Sequence, residues 1–134
     1  MKTVTDEEQK DFFIKLSNYI INELDSIANS SIENKKRFIE TIKNYGNNLD
    51  NGVYSYLRVK EDDKLNNNVA FGMIAMTIGK VMSVSDYSND DYFTNYIKYI
   101  DNILIVTDNH KKESPYIQTI IIYLTNEFYK NYKK

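Results

Sequence analysis

The sequence predicts an all-α fold, a single-domain bundle of five or six helices spanning residues 1–134. Three observations carry this. Apolar residues recur three and four apart through most of the chain, strand-like alternation is nearly absent, and helix-start signatures recur at polar junctions. Four glycines and one proline leave few breaks between the periodic segments. A chain of 134 residues can bury roughly two thirds of its unfolded surface, so it needs no covalent staple.

The first segment opens on Thr5-Asp6-Glu7-Glu8, a capping box in which Thr5 and Glu8 satisfy each other's end of the first turn. Phe13, Leu16, Ile20, Leu24 and Ile27 then recur at helical spacing, which predicts a helix over 6–28. Ser30 with Glu33 reads as a second capping box. Its helix carries Phe38, Ile39, Ile42 and Tyr45 on one stripe, and Gly46 suits the left-handed residue after the helix. The turn cluster GNNLDNG follows. Val53 to Val59 has strand-like composition, but Val53 and Leu57 also stand four apart and no second clear strand exists to pair with, so a short helix is expected.

The stretch VAFGMIAMTIGKVM, residues 69–82, is the least polar of the chain. It is shorter than the about 20 residues of a membrane span, and Lys80 interrupts it. As a helix to about Ser83 it has three sectors. Phe71, Ile74, Ile78, Val81 and Met82 are bulky, while Gly72, Ala75 and Gly79 are small enough for a second helix to approach. Val69, Met73, Met76 and Lys80 form the third sector, and the lysine's need for water makes it the outward one. Ser88 and Asp91 start a fifth helix. Its core stripe is Phe93, Ile97, Ile100 and Leu104, with Asp91, Asn95, Lys98 and Asn102 opposite. Tyr92, Tyr96 and Tyr99 form a stripe beside that core. Ser114 and Pro115 read as N-cap and first residue of the last helix, which carries Ile117, Ile121, Leu124 and Phe128. Its IIIYL run is apolar nearly all round and is expected to be central. No internal repeat or low-complexity tract is visible.

The composition narrows the chemistry. There is no cysteine, hence no disulfide, thiolate metal site or cysteine nucleophile. The one histidine, His110, lies in a polar loop, so a Ser-His-Asp arrangement or a histidine-rich metal site has little to build on. Glu7-Glu8 and Asp90-Asp91 fall in first turns, where negative charge suits the helix dipole. EDDKLNNN lacks the glycine and terminal glutamate of a calcium loop. No phosphate-binding loop or dinucleotide fingerprint occurs. No enzyme, cofactor, metal or catalytic residue is therefore expected.

A net charge of −2 and few arginines disfavour nucleic acid. The basic residues Lys35, Lys36, Arg37 and Lys43 would be its site. The N-terminus shows no secretory h-region, and a cytoplasmic location is expected. Abundant Asn, Lys, Ile and Tyr suggest an AT-rich genome or a mobile element. The expected function is a non-enzymatic protein–protein interaction module: an inhibitor, an immunity or anti-defence protein, an adaptor or a small subunit. Partner binding is assigned to Met73, Met76, Lys80, Tyr92, Tyr96 and Tyr99, with a foreign protein or a second copy of the chain as partner and no membrane role. The alternative is a small-molecule-binding helical domain whose Met and Tyr side chains line an internal pocket.

Overall fold

The computed structural model describes residues 4–45, 49–58, 72–74, 76, 98–104 and 113–133, the first five of the last range by backbone alone. The fold is all-α, with six helices and no strand among the described residues. They are α1 (Asp6–Ala28), α2 (Ile32–Tyr45), α3 (Tyr54–Leu57, entered through a 3₁₀ turn at Asn51–Val53), α4 (seen at residues 72–74 and 76), α5 (98–104) and α6 (Glu113–Tyr132).

The capping box of α1 is formed on both sides: the Glu8 amide donates to Thr5 Oγ1 at 3.1 Å, and the Thr5 amide donates to the Glu8 carboxylate at 3.3 Å. Each bond satisfies a backbone donor that the first turn cannot. The helix ends as expected at Ala28, where the Asn29 side chain donates back to the Asp25 carbonyl. Its buried stripe, Phe12, Phe13, Leu16, Ile20, Leu24 and Ala28, is wider than the sequence spacing indicated, and Ile27 packs at its margin.

The second helix is capped one residue later than the Ser30–Glu33 spacing predicts. Ser31 Oγ accepts from the Asn34 amide at 3.1 Å, and the Ser31 carbonyl accepts from the Lys35 amide at 3.0 Å. The Ser30 hydroxyl bridges the two helices instead: it donates to the Ile27 carbonyl at 2.6 Å, closing α1, and accepts from the Asn34 side-chain amide at 2.9 Å. Ile39 and Ile42 then face the core, with Phe38 and Tyr45 half-buried beside them.

The ambiguous segment after residue 50 is helical. Asp50 starts it by accepting from the Gly52 amide at 2.8 Å, and Val53, Tyr54 and Leu57 are buried. Arg58 ends α3 in the left-handed region, φ 58°. At that point its guanidinium pairs with Asp6 of α1, while Gln9 of α1 donates to the Tyr56 carbonyl at 2.8 Å.

α6 packs against both α1 and α2, which explains its apolar circumference. Ile120, Ile121, Ile122, Leu124 and Thr125 are all buried. It begins at Glu113, so Ser114 and Pro115 are its second and third residues rather than its cap and first residue. Proline is tolerated there because first-turn amides have no intrahelical acceptor. α4 and α5 contribute Ile74, Ile100, Ile103 and Leu104 to the same core. Among the described residues nothing lies within 4 Å of a Cβ built on Gly72; Ala75 and Gly79, the other two members of the small sector, lie outside those residues.

Candidate protein-interaction surface

Of the six residues assigned to partner binding, the described part of the structure contains Met73, Met76 and Tyr99; Lys80, Tyr92 and Tyr96 lie outside the described residues. Met76 is 77% exposed. Two residues earlier on the same helix, Ile74 is fully buried. Three residues on a helix correspond to an offset of about 60° around the axis, and across that offset Met73 turns from solvent onto the margin of the core. Tyr99 also packs against the core, beside Ile100 as the adjacent-stripe reading expects. The one other large apolar side chain exposed among the described residues is Ile32, at 59%, in the first turn of α2.

Three acidic residues near the start of α1 are engaged within the fold. Glu8 closes the capping box, Asp6 holds Arg58, and Asp11 pairs with Lys15 at 3.2 Å while accepting from the Tyr132 hydroxyl at 2.8 Å. That hydroxyl holds the Asp11 carboxyl below its usual value. No group of three His, Cys, Asp or Glu side chains among the described residues could hold a metal ion. His110 and the acidic runs at 61–63 and 90–91 lie outside those residues. No helix among them is long and apolar enough to cross a membrane.

Tyrosine shapes the described surface more than the sequence stripes indicated. Phe12 stacks on Tyr56 (4.3 Å, 18°) and meets Tyr132 edge-on. At the other side of α6, Tyr123 stands edge-on to Tyr45 at 5.0 Å and to Phe38 at 6.2 Å. Tyr19 of α1 meets Phe128 of α6 at 5.4 Å. Apart from the buried Phe12 these rings are half-buried, and the glutamates interleaved with them, Glu23 and Glu127, are too. This mixed aromatic and acidic surface was not among the sequence-predicted sites; the signal for it is the same spelling in two distant helices, YIINEL at 19–24 and YLTNEF at 123–128.

Comparison with protein-family models, curated proteins and solved structures gives no match in any of the three.

Proposed function

We propose that the chain is a non-enzymatic protein–protein interaction module that docks through the face of α4 carrying Met76. The observation that carries this reading is a flexible apolar side chain at 77% exposure, two residues along the helix from a fully buried isoleucine. Removing methionine from water is favourable, and its unbranched side chain adapts to irregular partner surfaces. The sequence supports the non-enzymatic part: it offers no cysteine and a single histidine, which removes the commonest nucleophile–base pairs. An inhibitor, an immunity or anti-defence protein, an adaptor or a small subunit would each act through such a face.

The test is Met76→Asp, a change at a site that leaves the core untouched. Affinity capture from the native cell, with wild type and Met76→Leu in parallel, should show a partner retained by both and lost with Met76→Asp. Light scattering at high concentration reads the self-association form in the same variants. Unchanged association of a correctly folded Met76→Asp protein, in both measurements, would overturn the proposal.

A further inference from the structure

Gly52 is the only one of the chain's four glycines that follows an asparagine. An Asn-Gly pair carries both halves of a reaction. The carboxamide carbon of Asn51 is an electrophile, and the Gly52 amide nitrogen has no side chain beside it to hinder attack. When that nitrogen attacks Asn51 Cγ, a five-membered imide forms, the Cγ–Nδ2 bond breaks, and the amide proton leaves with Nδ2 as ammonia. Water then reopens the imide at either carbonyl. One product is aspartate. The other is isoaspartate, whose main chain runs through Cβ and is one methylene longer. Water is the only co-reactant.

The fold exposes the electrophile and holds the nucleophile away from it. Asn51 is exposed at the start of the 3₁₀ turn Asn51–Val53. In such a turn ψ is about −20° to −30°, which leaves the Gly52 nitrogen about 90° from the Cβ-eclipsed arrangement that the five-membered ring requires. Asp50 Oδ1 accepts from the Gly52 amide at 2.8 Å, and a carboxylate on that N–H opposes loss of the proton. The turn is also fastened to the rest of the molecule. The Val53 amide donates to the Asp50 carbonyl at 3.0 Å, and Val53 is fully buried. Gly52 lies so close to α6 that a Cβ on it would collide with the Tyr129 hydroxyl. The Asp50 amide donates to the Asn126 side chain at 3.2 Å, and the Lys133 ammonium stands 3.9 Å from the Asp50 carboxylate. Asn126, Tyr129 and Lys133 recur three and four apart, so one stripe of α6 clamps the turn.

We propose that Asn51–Gly52 is a self-modifying site that the fold keeps closed: imide formation proceeds when the turn at 50–53 lifts off α6, and isoaspartate then prevents the turn from seating again. The added methylene displaces Gly52 from the position where it clears the Tyr129 hydroxyl, and the new carboxylate stands beside that of Asp50. Opening of the turn is reversible and its modification is not, so isoaspartate accumulates as a one-way record of that opening.

Incubation of the full chain at mildly alkaline pH, in buffer and in guanidinium chloride, tests this, with the loss of ammonia at Asn51 and the isoaspartate formed there read by peptide mapping and mass spectrometry. The rate in the native chain should be about tenfold or more below that in guanidinium chloride, because reaction follows the small open population. Asp50→Ala frees the Gly52 amide and should raise the native rate about three- to tenfold, with the rate in guanidinium chloride unchanged. Asn126→Leu detaches the turn from α6 and should act in the same direction, which keeps the test decisive if Asp50→Ala folds poorly. Ser31→Ala weakens the cap of α2 but leaves every bond of the turn in place, and should leave the native rate unchanged. Equal rates in the native and denatured chain, no product in guanidinium chloride, or native rates that neither turn variant raises would each overturn the proposal. Equal acceleration by Ser31→Ala and Asp50→Ala would overturn it too, since the gate would then be global unfolding rather than the turn.

Discussion

Gly52 has no room for a methyl group. A Cβ built on it would lie 2.0 Å from the Tyr129 hydroxyl oxygen and 2.6 Å from the ring carbon that bears it. Tyr129 is buried, so its ring cannot swing away without disturbing neighbours such as Phe12 and Tyr56. Gly52→Ala should therefore cost about 1–3 kcal/mol, the usual range for overpacking. Tyr129→Phe removes the nearest clashing atom, so the double variant should recover part of the loss. Urea unfolding of the four proteins in a double-mutant cycle measures that coupling, and strictly additive losses would refute the close approach. A second residue ties the same turn to α6. Asn126 accepts from the Asp50 amide at 3.2 Å and donates to the Tyr45 hydroxyl at 2.7 Å. Asn126→Leu would leave a partly buried amide without its acceptor and should cost about 1–3 kcal/mol. The sequence marks Gly52 only as a turn glycine and Asn126 only as a polar break in an apolar run. Their shared role depends on α6 returning beside residue 50, and local spacing contains no information about that return.

At the level of the helices, local chemistry was legible and its competition with neighbours was not. Thr5 with Glu8 has no rival for its hydroxyl, and the predicted cap formed. Ser30 and Ser31 offer two hydroxyls to one helix start, and α1 takes the first through the Ile27 carbonyl. This ordering predicts unequal effects. Ser31→Ala should cost about 1 kcal/mol, the usual value of an N-cap. Ser30→Ala should cost less, because its hydroxyl serves a carbonyl that already accepts from the Ser30 amide and a side-chain amide, Asn34, rather than a helix-start backbone donor. Equal or reversed shifts in the urea midpoint would contradict the cap at Ser31. The stop after α3 was illegible for a different reason. A left-handed residue is ordinarily signalled by glycine or asparagine, whereas Arg58 takes that conformation while ion-paired to Asp6. For the candidate surface, Lys80 oriented the predicted outward sector of α4. The core margin, however, runs between Met73 and Met76, a division within one sector that helical periodicity does not resolve. The mixed aromatic and acidic surface was spelled out twice, but a six-residue echo is far below the roughly 20–50-residue periods that mark repeat folds, and only the packing of α1 against α6 brings the two copies together.

Across the whole molecule, partly and fully buried phenols tie stability to alkaline pH. Burial is the first cause of raised hydroxyl pKa values at Tyr19, Tyr45, Tyr56, Tyr123, Tyr129 and Tyr132. At Tyr132 the hydrogen bond to Asp11 adds to it. The unfolded chain ionises these groups near the ordinary tyrosine value of 10.0, and the folded chain does so later, at about 12 for Tyr19. Above pH 10 the unfolded state therefore binds fewer protons than the native state, and stability must fall as pH rises. Each tyrosine contributes a loss of at most about 1.4 kcal/mol per pH unit between its two pKa values. Below pH 10 these groups are neutral in both states and their contribution is fully present. Asp11 acts on the opposite limb: its folded pKa lies below 3.8, so its contribution is present above that value and is lost as pH falls through the folded pKa. Tyr132→Phe severs the bond between the two groups and should flatten both limbs, the acid one slightly because Asp11 is half-exposed. Urea unfolding across pH, with tyrosinate absorbance recorded in the folded and unfolded states, checks the sign and the window. An alkaline limb equally steep in wild type and Tyr132→Phe would mean that the Asp11–Tyr132 contact does not govern this ionisation. A limb starting well below pH 10 would place the loss on groups other than the buried phenols.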